Sequence, residues 1–358
     1  MVRNKPPVKP EAAGLATRSS FFTPREYSCA GAYPVQGRIR RRYDVWRMQT
    51  RMSTVHDSGA GALLGLAAGD QGAGAAYGHH SQLAMVVAYE LLRRGEVEQV
   101  RVREALTRLT GGRSGRSRVR GAPLWIHSYL EQERVHGLGS GPHGGFDVAT
   151  RAVPIGIWHR SRPSELVADS IRAATSTHTD RASAVVAAAL SGTIAGISHG
   201  QYGRDLVTGA LEVGRMAQAR VDGDPGLVGE TATVLNSLES LIGLVGESPE
   251  KIVEQLEPER ESLDSVLASI VIGAPLLQDP FRVIADVARV RRRDLDVVVS
   301  AMVGARVGVV RWPSSVANDT WFAEIGRRLA AHEKTVDDLP DLFEVEERLS
   351  HGPPGGYR

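Results

Sequence analysis

The chain has one cysteine in 358 residues, Cys29, so no disulfide can form within it. A disulfide-stapled fold is excluded, and a reducing compartment, the cytoplasm, is the expected location. Aromatic residues make up only 5% of the sequence, which argues against a β-sandwich or barrel built on large inward-facing rings. No run of 18 uninterrupted apolar residues occurs. The best candidate, residues 182–197, is broken by Ser183, Ser191 and Thr193, so it reads as a buried helix and no membrane partner is expected. There is no phosphate-cradling Gly-x-x-x-x-Gly-Lys, no zinc-ligand spacing and no nucleophile elbow.

What is present is Ala, Val, Leu and Gly, within a hydrophobic fraction of 42%. That composition suits closely packed helices. Apolar residues at helical spacing predict helices around residues 83–92, 102–109, 167–174, 182–197, 206–216, 266–276, 281–290 and 295–310. Strand patterns are absent. The predicted fold is all-α, a single compact orthogonal helical bundle over residues 52–335, followed by a flexible acidic tail over 336–358. Residues 1–51 carry 11 Lys/Arg against 3 Asp/Glu, whereas the remainder holds 32 basic against 38 acidic residues. This Pro-rich basic arm is expected to be disordered. It reads as a partner-binding arm, as an Arg-rich targeting segment, or as sequence upstream of a start at Met52; the last is favoured.

Five segments carry a family resemblance. Gly61-Ala62-Leu63-Leu64-Gly65-Leu66-Ala67-Ala68-Gly69-Asp70 is a small-residue helix ending in Gly-Asp. Gly78-His79-His80-Ser81-Gln82-Leu83-Ala84-Met85 opens a second helix. Thr150-Arg151-Ala152-Val153-Pro154-Ile155-Gly156, Thr177-His178-Thr179-Asp180-Arg181-Ala182 and Arg293-Asp294-Leu295-Asp296-Val297 follow in order. Together they resemble the ADP-ribosylglycohydrolase family. The resemblance implies a hydrolase that cleaves the glycosidic bond between ADP-ribose and a modified side chain, with ADP-ribose or an ADP-ribosylated protein as partner. Nucleic acid is not the expected partner, and the oligomeric state is left open.

In that family two acidic motifs hold a pair of magnesium ions. The closing motif keeps Asp294 and Asp296, which the resemblance makes candidate catalytic and metal-binding residues; as a structural alternative they cap a helix and favour its dipole. Val297 replaces a hydroxyl ligand. In the opening motif Gly78, His79 and His80 stand where Thr-Asp-Asp is expected. Imidazole suits a transition metal better than magnesium, so His79, His80, Asp294 and Asp296 form a candidate altered metal site. The alternative is that the metal site has decayed, and no cofactor is assigned. The covering loop is cut to the seven residues 71–77, which contain no acid that could act as a base. Asp70, Asp147, Phe146 and His178 are candidate ligand-binding residues. Three of them have a structural alternative: a turn or cap for Asp70, a buried ring for Phe146, a helix cap at Thr177-His178. The Arg-rich loop at 111–121 is read as either a phosphate contact or a solvated loop. A catalytically weakened family member is the favoured expectation. An active hydrolase with another metal and a non-catalytic helical scaffold are the alternatives.

Overall fold

The computed structural model describes residues 54–71, 76–111, 118–120, 145–256, 261–275, 280–290, 292–309 and 316–351. The expectations for residues 1–51, and for Arg113 and Arg116, lie outside the described residues. Along the described chain run α1 (Val55–Gly69), α2 (His79–Arg94), α3 (Gln99–Leu109), α4 (Phe146–Thr150), α5 (Val153–Trp158), α6 (Pro163–Thr175), α7 (Arg181–Ser198) and α8 (Gly203–Val221). They are followed by α9 (Ala232–Leu241), α10 (Pro249–Val253), α11 (Glu261–Gly273), α12 (Pro280–Val290), α13 (Arg293–Val307), α14 (Asp319–Ala331) and α15 (Leu342–His351). No strand occurs among the described residues, where an isolated bridge between Asp180 and Val228 is the extended pairing.

Helix α1 starts at Thr54, whose hydroxyl accepts a hydrogen bond from the Asp57 amide at 3.2 Å. The Asp57 carboxylate also favours the positive end of the helix. Gly61, Gly65 and Gly69 recur every four residues and therefore share one face. A Cβ on each would collide with the backbone carbonyl of Gly304, Ser300 and Asp296, respectively. Those three residues are also spaced by four, on α13, and run in the opposite direction. The two helices thus pack backbone to backbone. On another side of α1, a Cβ on Gly59 would lie 2.5 Å from the Gly326 carbonyl of α14. This antiparallel pairing brings the C-terminus of α1, at Asp70, beside the N-terminus of α13, where Asp294 and Asp296 sit.

Helix α7 runs through the core. Asp180 caps it, with its carboxylate accepting from the amides of Ala182 at 3.2 Å and Ser183 at 3.0 Å. Among the described helices this one is long and apolar enough to cross a membrane, but 89% of it is buried inside the fold. Its small residues serve helix contact instead: a Cβ on Gly156 of α5 would strike the Ser191 carbonyl, and one on Gly192 would lie 2.8 Å from Val213 of α8.

The expected helices are present as α2, α3, α6, α7, α8, α11, α12 and α13. The last ends at Val307 because Gly308 turns out of the helix with φ 70°. The segment expected to be a flexible tail from 336 instead carries α15. Glu346 on this helix is fully buried. Its carboxylate accepts from Arg120 Nη1 and Nη2 at 2.5 and 3.0 Å and from the Tyr77 hydroxyl at 2.8 Å. The acidic composition that suggested a frayed tail thus includes the acid that neutralises a half-buried arginine. Burial, reinforced by the Glu346 charge, pushes the Tyr77 hydroxyl far above its ordinary pKa, so Tyr77 remains a proton donor at any accessible pH.

Two stability measurements follow. Gly61→Ala, normally favourable within a helix, should lower the unfolding free energy by about 3 kcal/mol through overpacking against Gly304, as read by urea denaturation. Glu346→Ala leaves Arg120 without its buried partner and should remove about 3 kcal/mol in the same assay.

Candidate functional site

The site is assembled where α1 ends and α2 begins. Gly78 is the N-cap position of α2 and has no side chain to cap it. Asp70, the residue that closes α1, supplies the cap from outside: its Oδ2 accepts from the Ser81 amide at 2.8 Å and the Ser81 hydroxyl at 2.9 Å. A Cβ on Gly78 would lie 2.5 Å from Asp70 Oδ1. The replacement of the expected threonine by glycine is therefore coupled to the inward position of Asp70. Ser81 is a site residue that the sequence reading did not single out. The capping-box pattern points forward along the chain and does not find an acid eleven residues upstream.

His79 and His80 occupy the first turn of α2. Both converge on Asp147, at the start of α4. His79 Nε2 lies 2.7 Å and His80 Nδ1 3.1 Å from the same oxygen, Asp147 Oδ1. The two rings lie 4.1 Å apart, tilted by 34°. Thr150 Oγ1, one turn along α4, is 3.4 Å from His80 Nδ1. The environments of the two imidazoles differ. Burial alone would lower the His79 pKa, but the hydrogen bond and charge of Asp147 outweigh it and the value is raised. Deeper burial lowers His80 despite the attraction of Asp147 and Asp70. The proton affinities of the two rings are thus moved in opposite directions, His79 above the ordinary histidine value and His80 below it. Asp70, His79 and His80 also form a group whose ligand atoms all lie within 4.8 Å of one another.

The remaining candidates are placed around this core. Asp294 is exposed and Asp296 is half-buried at the first turn of α13. The Asp294 charge acts on His80, but neither aspartate belongs to the Asp70–His79–His80 group. Phe146 is buried and meets His80 edge-on at 5.2 Å. His178 is buried, with Nδ1 2.8 Å from Thr177 Oγ1. Fully buried Arg151 donates from Nη1 to that same hydroxyl at 2.7 Å. With the Thr177 oxygen accepting from arginine, its own proton is available to His178 Nδ1, which holds that nitrogen as an acceptor. Asp180, not Thr177 or His178, caps α7. In the Arg-rich loop, Arg120 is committed to Glu346 and stacks over Tyr77 at 4.4 Å. Gln82 Nε2 donates to the Arg118 carbonyl at 2.9 Å, and its Oε1 accepts from the Arg120 amide at 3.0 Å, binding this segment to α2. A separate hollow of about 430 Å³, lined by Arg94, His159, Arg162, Arg172, Arg220 and Lys334 among others, contains none of the candidate residues.

Residues 51–345 match the family described as ADP-ribosylglycohydrolase. The chain belongs to that family. A solved structure described as an "ADP-ribosylglycohydrolase-related protein complex" is similar with a TM-score of 0.54 and 16% identity, covering 78% of this chain and 99% of that one. At that identity the likeness establishes the all-α ADP-ribosylglycohydrolase fold. No curated protein matches the sequence. The magnesium pair of the family does not fit the residues gathered at α2. Two of the three grouped donors are imidazoles, whereas magnesium demands an octahedral shell of oxygens.

The Arg151–Thr177–His178 cluster has a measurable pH signature. Burial first, and the neighbouring Arg151 charge second, lower the His178 pKa from 6.5 to about 3. Between these values the unfolded chain binds a proton that the folded chain refuses. Stability should therefore fall as the pH drops below 6.5, by up to about 1.4 kcal/mol per pH unit. Histidine NMR should show the His178 ring neutral at pH 5, and His178→Gln should flatten the stability slope between pH 6.5 and 4.5.

Proposed function

We propose that this ADP-ribosylglycohydrolase-family protein has weakened or lost magnesium-dependent hydrolysis and retains a cleft for ADP-ribose or a related nucleotide. The observation that carries this reading is the convergence of His79 and His80 on Asp147, where the family resemblance calls for two carboxylates. A metal bound in the family's manner would supply Lewis-acid polarisation of the ribose and a positioned water. The chain's own residues at α2 offer imidazoles instead, and the shortened loop at 71–77 supplies no acidic base.

The same replacement favours a phosphate-bearing ligand without metal. Two carboxylates would repel a diphosphate unless cations screened them. His79 brings no fixed negative charge and stands in the first turn of α2, at the positive end of a helix, which attracts one. Its side chain is 16% exposed, enough to be reached from solvent. The reducing environment suggested by the lone cysteine makes the cytoplasm the proposed location.

Calorimetry with ADP-ribose and release assays on N- and O-linked ADP-ribosylated proteins test the reading together. Binding should be equal in EDTA and in magnesium, and release at least about a thousandfold below that of a metal-competent relative, corresponding to the loss of several kcal/mol of Lewis-acid stabilisation. Magnesium-dependent turnover that disappears in Asp294→Asn would overturn the loss of catalysis. An absence of heat with ADP-ribose in both buffers would leave a helical scaffold in its place.

A further inference from the structure

The chemistry of the Asp70–His79–His80 group points beyond nucleotide binding. We infer that these three side chains form a site for one divalent transition-metal ion of the zinc or ferrous class, in place of the magnesium pair. The inference concerns the ion alone and does not rest on ADP-ribose being the ligand.

The donor set is two imidazole nitrogens and one carboxylate. That combination suits zinc, iron and related ions and is a poor match for magnesium. The three ligand atoms lie within 4.8 Å of one another. Around an ion with bonds of about 2.1 Å, neighbouring ligand atoms stand about 3.4 Å apart, so the group must contract by no more than about 1.4 Å. Two of the ligands are consecutive residues in the first turn of one helix. The third sits at the end of α1 and is fastened to that turn through Ser81. The separation is therefore held by the hydrogen bonds between Asp70 and Ser81.

Asp147 completes the arrangement. It touches both rings, at 2.7 and 3.1 Å, and is only slightly exposed. A carboxylate that holds metal-binding histidines in place is a recurrent outer partner of such sites, and its removal weakens binding without deleting a ligand. Phe146, edge-on to His80, closes the apolar side of the pair. This ligand set differs from the one read from the sequence, which combined the two histidines with Asp294 and Asp296. Asp70 is the carboxylate that belongs with them.

The full-length protein, stripped with a chelator, is titrated with zinc sulfate by calorimetry and with cobalt chloride by visible absorption. One equivalent of zinc should bind, and cobalt should develop ligand-field bands that zinc then abolishes. His79→Ala and His80→Ala should each weaken zinc binding at least about a hundredfold, and Asp147→Asn about ten- to a hundredfold. His199→Ala, which removes an exposed histidine elsewhere, should leave binding unchanged. Circular dichroism verifies that each variant is folded, and the wild-type cobalt spectrum needs no variant. Zinc heats unaltered in His79→Ala and His80→Ala, a cobalt spectrum identical to that of the free ion, or displacement of zinc by equimolar magnesium would each overturn the inference. Loss of ADP-ribose binding with intact zinc binding would count against the nucleotide reading and leave this one standing.

Discussion

Everything at the site depends on the closeness of α1 to α13. Glycines at 61, 65 and 69 let the two backbones approach until a single added methyl would collide with a carbonyl. Side-chain packing tolerates adjustment by rotamer changes, but backbone against backbone has little such slack. The position of Asp70 relative to the start of α13 is consequently set by the main chain. From there the geometry propagates: Asp70 caps α2, α2 presents His79 and His80, and α4 brings Asp147 to both rings. Among the described residues, a short series of contacts joins residues 70, 81 and 147.

This arrangement gives the glycine at 78 a second meaning. Beside the family motif it reads as the loss of a hydroxyl. In the fold it is the vacancy that Asp70 enters, and a side chain there would expel the carboxylate. The changes at 78, 79 and 80 are therefore mutually adjusted: the cap is supplied from outside, the helix start remains satisfied, and the two imidazoles share one acceptor. A decayed site would be expected to scatter its polar groups. Here His80 and Asp147 are buried and His79 is partly buried, and both imidazoles are gathered on one carboxylate.

The helical periodicity was legible for the core helices because their apolar residues recur on one face. Helix α14 carries a comparable signal in Trp321, Phe322, Ile325 and Leu329, although it is not among the expected helices. Helix α15 was masked by composition: its charged residues suggest solvent, although Glu346 is buried against Arg120 and Tyr77. At the site, the residue types could be read but their partners could not. His79 and Asp147 are 68 positions apart, and no local spacing encodes such a contact. Asp70 was legible as a conspicuous acid after a glycine helix. Its reach to Ser81, eleven positions on, is a contact that hydrophobic pattern does not encode.

The Tyr77–Arg120–Glu346 contact sits next to this machinery, since Tyr77 immediately precedes the α2 cap and the Arg120 backbone hydrogen-bonds His79. The family match stops at residue 345, one position before the acid. The boundary that defines the domain by likeness is thus not the boundary that defines it by electrostatics. A chain ended at 345 would keep the arginine and the tyrosine and discard the only charge that Arg120 is shown to pair with, beside the first turn of α2. The last helix is thereby tied through a buried charge to the residues that precede the first turn of α2.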